Sequence, residues 1–322
     1  MAFLTKLSKT KKQIDDHLVF EKFGPEHFTE YQDFISRFPQ HCDFALNNLM
    51  VWMAGNTGLA FCWLNGNIVL RISGSIYENQ LDGTWYTVLG DSDADNTLEQ
   101  LFTWLNTGTL LMVPDYFVSA LEHPERYSIV EDADNRDYIL DIDTLIQRSG
   151  KKYENFRYQI SYVIKNYSHE SVIKELDLSK EQDVLLIINS MHTWSHITSF
   201  ADGANDEYKV DAIAIDRLFQ LQHILPIKHR CLGLFIEGKL QAFSIYHVPH
   251  SRDSIALGNH IKSNGEYKRL FDFMAYVTAT RLKTEGIQLF NAEQDMGLEG
   301  LRHHKSYLNP VTFYKKYNIT KL

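Results

Sequence analysis

The feature that most constrains this chain of 322 residues is an order of elements that occurs twice. In the first half, Phe28, Tyr31, Phe34 and Ile35 recur at helical spacing. Asn65-Gly66 then separates the apolar runs 59–64 and 67–72. Such a pair predicts a two-residue hairpin, because both turn residues need positive φ. Strand 84–89, helix 95–106, strand 109–113, a short helix over 116–121 and closing strands 127–130 and 137–140 follow. In the second half, Phe156, Ile160, Val163, Ile164 and Tyr167 form a helical stripe. Helices 181–196 and 210–223 come next, then strands 232–237 and 240–247 around Gly238-Lys239. Strand 254–260, a long helix over 266–283 stopped by Gly286, strand 287–292 and a helix from 298 complete the half. The predicted class is α+β, with a mixed sheet flanked by helices in each half. The expected domains are 1–145 and 146–322. The duplication rests on this order, since no residue identity links the halves.

Composition narrows the function classes. Hydrophobic residues are 44% and charged residues 23%, which excludes a disordered chain. Lys plus Arg is 32 and Asp plus Glu is 41, a net charge of −9. That argues against a whole-surface nucleic-acid binder. Two local segments run the other way. Residues 148–174 hold six Lys or Arg against two acids, and residues 302–322 hold five and none. Each is either a solvated face or a docking surface for a polyanion. Cys42, Cys62 and Cys231 lack metal spacing and read as reduced core thiols, so the expected compartment is the cytoplasm. No apolar run is long enough to span a bilayer. The start carries Lys6, Lys9, Lys11 and Lys12 beside Phe3, Leu4 and Leu7. It reads as a frayed terminus or as a basic turn in peripheral contact with a membrane.

The chemistry concentrates in residues 291–305. If the strand continues through Asp295, then Asn291, Glu293 and Asp295 share one face, about 6.5–7 Å apart. Arg302 and Lys305 share a helix face. The carboxylates can serve as base or amine anchor, and the cations can balance a phosphate, a carboxylate or an oxyanion. The competing reading is an internal ion-pair network. His192 and His196 stand at helical i,i+4 spacing but lack a third ligand, and His303-His304 reads as incidental, so no metal is expected. The βα junction 260–267 is an ordinary loop or a weak acyl-carrier or phosphate cradle, with one glycine, Gly265. No Gly-x-Ser-x-Gly occurs and no Cys has a nucleophile's context, which favours direct transfer between two bound substrates.

Several strings together carry a family likeness. They are Gly150-Lys151-Lys152-Tyr153, Arg157, Trp194, the hairpin 238–243, Gly265-Glu266-Tyr267, Asn291-Ala292-Glu293-Gln294-Asp295-Met296-Gly297, Gly300-Leu301-Arg302, Lys305-Ser306-Tyr307 and Pro310. The sequence resembles the C-terminal domain family of phosphatidylglycerol lysyltransferase, most closely over 137–317. The resemblance implies two tandem GNAT-like domains and kinship with peptidoglycan aminoacyltransferases. It implies a bacterial aminoacyltransferase that moves the acyl group of aminoacyl-tRNA to a small-molecule, peptide or lipid-headgroup amine or hydroxyl. Where the family reads Lys-Arg-Asn, this chain has Phe156-Arg157-Tyr158, so only the arginine carries over. The membrane-spanning domain of the lipid enzymes is not seen, and the pyrophosphate loop of acetyl-CoA users is missing at 261–267. Acyl-CoA or an acyl carrier is the alternative donor, and a non-catalytic binding module is the alternative role. No tightly bound cofactor is expected. The expected catalytic residues are Glu293, Asp295 and Tyr307. Arg302, Lys305, Arg157, Lys152, Asn291 and Trp194 are expected to bind substrate, and Gly265 and Tyr267 to meet the co-substrate. Core packing is the competing reading for Tyr307 and Trp194.

Overall fold

Local chemistry builds the first half much as its text reads. The computed structural model describes residues 18–53, 58–73, 83–105, 107–198 and 204–322, and the basic start of the chain lies outside them. Strand β1 (Glu21–Lys22) and helix α1 (Phe28–Ile35) lead to α2 (Leu46–Asn48), which runs into a π-helical turn at Leu49–Met53. Strands β2 (Gly58–Leu64) and β3 (Asn67–Ser73) meet at Asn65 and Gly66, with φ of 51° and 81°. Then come β4 (Thr84–Leu89), α3 (Ala94–Trp104), β5 (Thr109–Pro114), α4 (Asp115–Ser119), β6 (Tyr127–Glu131) and β7 (Asp137–Asp141). Helix α3 turns Leu98 and Leu101 fully inward, the period its sequence shows.

The second half continues with α5 (Ile142–Gln147), α6 (Glu154–Tyr167), β8 (Ser171–Leu176), α7 (Glu181–Thr198) and α8 (Ala204–Leu221). It closes with β9 (Arg230–Ile236), β10 (Lys239–His247), β11 (Ile255–Ser263), α9 (Leu270–Thr284), β12 (Leu289–Asn291), α10 (Glu299–Tyr307), β13 (Thr312–Tyr314) and β14 (Lys316–Lys321). Strands β1, β8, β13 and β14 are additions to the sequence reading. The helix expected from 266 starts at Leu270, because the Asn264 side chain accepts the Glu266 N–H and holds a turn there.

The sheets exchange strands. The first half forms β1-β2-β3-β4 and a separate sheet β5-β14-β6, and the second forms β13-β7-β12-β11-β10-β9-β8. The last strand of each half thus lies in the other half's layer, between two of its strands. A division at 145 therefore does not separate the sheets: β7 precedes it yet pairs with β12 and β13. Each face of the seven-stranded sheet is covered. Phe156, Ile160 and Met274 pack on one side, and Val184, Met191 and Trp194 on the other.

Two irregularities open this sheet at one end. Strand β11 pairs in parallel with β12 only at 255–257 against 289–291, yet continues to Ser263 along β10. Along β10, Ile245 faces His260 and Tyr246 faces Gly258, which leaves Asn259 as the extra residue of a bulge. Bulges re-aim a side chain. The chain leaves the sheet after Asn291, turning at Glu293 (φ 59°) and Met296 (φ 53°). Non-glycine residues rarely adopt such angles. Residues 41–48 of the first half pack against this opening through Cys42 and Asn48.

Candidate active site

Glu293 occupies the gap at the end of β12. Its strained backbone is fixed from both sides. Its N–H donates to Asn291 Oδ1 at 2.7 Å, and its carbonyl accepts from the Tyr138 N–H at 3.2 Å. Two amides hold the carboxyl group. Asn48 Nδ2 donates to Oε1 at 2.7 Å and Asn259 Nδ2 to the same oxygen at 3.1 Å. Asn259 Nδ2 also reaches Asn48 Oδ1 at 2.6 Å, and Asn259 Oδ1 meets His247 Nδ1 at 2.9 Å. Burial pushes the Glu293 carboxyl up to about 8, against the Lys305 charge and the Asn48 bond, and with help from the Asp137 and Asp43 carboxylates. Burial also lowers the Lys305 ammonium, with Glu293 opposing. Lys305 Nζ donates to the Gln294 carbonyl.

Asp295 has another fate. The backbone turns at Glu293 and Met296, so the expected common face of Asn291, Glu293 and Asp295 does not form. Asp295 is fully buried. It accepts from Tyr138 Oη at 2.5 Å, from Arg302 Nε at 3.1 Å and Nη2 at 2.9 Å, and from the Gly297 N–H at 2.9 Å. Burial alone would raise its carboxyl, but the Arg302, Tyr138 and Gly297 bonds outweigh it and hold the group below the usual range. Arg302 also binds Asp134 at 2.5 Å, so its guanidinium is pinned by two carboxylates.

Beneath the site lies a second charged cluster. Lys316 is fully buried. Its Nζ donates to Asp137 Oδ1 at 2.6 Å, to the Asn135 carbonyl at 2.7 Å and to Asp43 Oδ2. Asn291 Nδ2 donates to Asp137 Oδ2 at 2.8 Å and to the Gln40 carbonyl at 3.0 Å. Gln294 joins Cys42 Sγ at 2.6 Å and Asp43 at 3.2 Å. Among the described residues, one trio has donor atoms close enough for a metal: Cys42, Asp43 and Asp137, within 4.8 Å. The Lys316 ammonium already supplies the cation there. Burial alone would raise the Asp137 carboxyl, but Lys316, His41 and the Asn291 bond together keep it low. Cys42, Cys62 and Cys231 are free and buried, Cys42 within this polar cluster.

Of the expected residues, the structure gathers Asn291, Glu293, Asp295, Arg302 and Lys305 into this region. The others lie in different surroundings. Arg157 Nη1 donates to the Gly150 carbonyl at 2.7 Å and to the Arg148 carbonyl, closing the end of α5. Lys152 is exposed beside the Tyr153 ring. Trp194 is buried and stacked on Phe243 with ring centres 6.0 Å apart. Tyr307 lies at the apolar core, and the charges acting on its raised hydroxyl, after burial, are Asp272 and Arg269. Gly265 is exposed in the turn, and Tyr267 sits edge-on to Tyr167 at 5.5 Å. His192 is exposed on α7, and the side chain of His196 lies outside the described residues.

Sequence reasoning missed Asn48, Asn259, His247, Asp43, Asp137 and Lys316. Asn48 and Asn259 do carry a signal, a polar side chain inside apolar text. Asn47-Asn48 interrupts the run from Phe44 to Val51, and Asn259-His260 interrupts a strand that opens with Ile255-Ala256-Leu257. Polar groups in such places are held by partners elsewhere in the chain.

The strand order, the parting of β11 from β12 and the exchanged end strands build a mixed α/β fold that is GNAT-like. Solved structures agree. A conserved protein of unknown function from Bacteroides thetaiotaomicron superposes with a TM-score of 0.76 at 20% identity, over 95% of this chain and 100% of that one. L-PGS from Bacillus licheniformis gives a TM-score of 0.60 at 16% identity, over 94% and 93%. A tandem GNAT protein from the clavulanic acid biosynthesis pathway gives 0.50 at 9%, over 94% and 98%. Curated protein sequences yield no match. The chain belongs to the phosphatidylglycerol lysyltransferase C-terminal family, which it matches over residues 108–320. No helix among the described residues is long and apolar enough to cross a membrane.

Proposed function

We propose that this protein is an acyltransferase that moves an aminoacyl group from aminoacyl-tRNA to an amine or hydroxyl acceptor, with Glu293 carrying the proton. The carrying observation is the Glu293 carboxyl, pushed to about 8 by burial, with one oxygen clamped by two amides. A group with that pKa accepts and returns a proton near neutral pH. Both amides bond Oε1, so the proton of the neutral form belongs on Oε2, the oxygen outside these bonds.

The acceptor N–H or O–H loses its proton to Oε2 as its lone pair forms a bond to the ester carbonyl carbon. The carbonyl electrons move to oxygen, and the neighbouring Lys305 ammonium offsets that charge. Collapse breaks the bond to the ribose oxygen, which takes the proton back from Oε2. Family membership supports the acyl chemistry and a lipid-headgroup acceptor among the candidates. The equivalent strand orders of the two halves support tandem GNAT-like copies with exchanged end strands. The basic segments 148–174 and 302–322 offer a local contact for tRNA despite the net charge of −9.

A donor panel tests the reading. Aminoacyl-tRNAs and acyl-CoAs are offered with amines, polyols, peptides and lipid vesicles as acceptors. The expected result is acceptor-dependent loss of the aminoacyl ester by the wild type and not by Glu293→Gln. Consumption of acyl-CoA with aminoacyl-tRNA untouched overturns the choice of donor. Binding without turnover of any donor reduces the protein to a binding module.

A further inference from the structure

Glu293 lies within the matched family region, but one of its two clamps does not. Asn48 comes from the first half, 245 residues earlier, and lies outside residues 108–320. It is nearly fully buried, 3% exposed, at the end of α2. The bonds around it run in one consistent sense, from His247 to the carboxylate. Asn259 Nδ2 serves two oxygens, Glu293 Oε1 and Asn48 Oδ1. With the carboxyl group ionised, Asn259 Oδ1 faces His247, whose Nδ1 then carries the hydrogen. Burial pulls His247 down to about 4, so the ring stays neutral and the tautomer holds across the working range. Asn48 Oδ1 is occupied by Asn259, and its Nδ2 faces the carboxylate, which can only accept.

We infer that Asn48 is a positioning residue of the first half, which with Asn259 and His247 pins Glu293 Oε1 and reserves Oε2 for the proton that moves. This rests on Glu293 being the proton carrier. The arrangement makes the site composite. The first half supplies a working part of it, beyond any role as a scaffold. An amide also fits better than a cation here. It orients the carboxyl group without holding it permanently ionised, whereas a guanidinium does the latter at Asp295.

The test reads Glu293 directly and needs no substrate. The charged and titratable groups facing it are Lys305 from α10, Asp137 from β7, and Asp43 and Cys42 from the 41–44 turn. None of these is altered by a change at Asn48. The side-chain carboxyl of Glu293 is followed by 13C NMR through a pH titration of the full chain, with Glu293→Gln identifying its signal. Removing a donor from the ionised form should raise the midpoint in Asn48→Ala by about 1 pH unit. Asn48→Asp keeps the shape, adds a like charge and should raise it further. Should the alanine variant fail to fold, the aspartate variant alone decides. A midpoint that stays at the wild-type value, or falls, overturns the positioning role. A shifted midpoint in a protein that transfers no aminoacyl group keeps the clamp and removes the proposed donor.

Discussion

Glu293 and Asp295 stand two residues apart and carry the same functional group, yet the fold treats them in opposite ways. Two neutral amides hold Glu293, and burial raises it to about 8. A guanidinium, a phenol and a backbone N–H hold Asp295, which stays low although it is fully buried. The difference lies in the partners. An amide orients a carboxyl group and leaves its proton exchangeable, while a cation fixes its charge. The first arrangement suits chemistry and the second suits structure. Lys316 repeats the second arrangement at Asp137.

The comparison breaks first at Glu293. Glu293→Gln should lower acyl transfer by about 10²–10⁴-fold, the usual worth of a positioned acid or base, in an initial-rate assay. Retained turnover removes Glu293 from the chemistry. The same variant should also respond differently to pH. A carboxyl raised in the folded state contributes stability below its unfolded value, and that stability is lost as pH rises through about 8. The wild type should therefore lose more thermal stability than Glu293→Gln between pH 5 and pH 9.

Next comes the buried cation. Lys316→Met leaves Asp137 and Asp43 without their counter-charge, a change of the kind that costs about 3–5 kcal/mol. Chemical denaturation should show this as a lower midpoint, and a neutral result would mean that the cluster adds nothing. Asp295→Asn should destabilise less, because Arg302 is 42% exposed and keeps Asp134 as a partner. It should leave the Glu293 titration near 8. Movement of that midpoint would show the two carboxyls to be one coupled system. Tyr307→Phe is the smallest change. The hydroxyl is buried with no hydrogen-bond partner, so its removal should alter stability by no more than about 0.5 kcal/mol and leave transfer intact. A large loss of transfer would return Tyr307 to the site as a proton donor.

Much of the fold was legible because it is local. Asn65-Gly66, the stripes of α3 and α6 and the β9–β10 hairpin follow from turn chemistry and periodicity alone. Strands β8, β13 and β14 did not announce themselves. The burial of β8 does not alternate, with Val172 and Ile173 both exposed, and β13 is three residues long. The exchange of β7 and β14 depends on pairing between distant segments, which a linear reading does not reach. In the site, the 291–305 string was found through its unusual density of polar groups. The division of labour within it was hidden, because Asn48, Asn259 and Asp134 decide it from elsewhere. The positive φ at Glu293 was hidden too, since a strand period assumes that the strand continues.

The pH dependence of acyl transfer by the wild type, with the rate of Glu293→Gln subtracted to remove spontaneous ester loss, tests the central claim most directly. The rate should climb about tenfold between pH 7 and pH 9, with a midpoint near 8, as Glu293 gives up its proton. A subtracted rate that is flat over that range, or that falls through it, contradicts the assignment of Glu293 as the base.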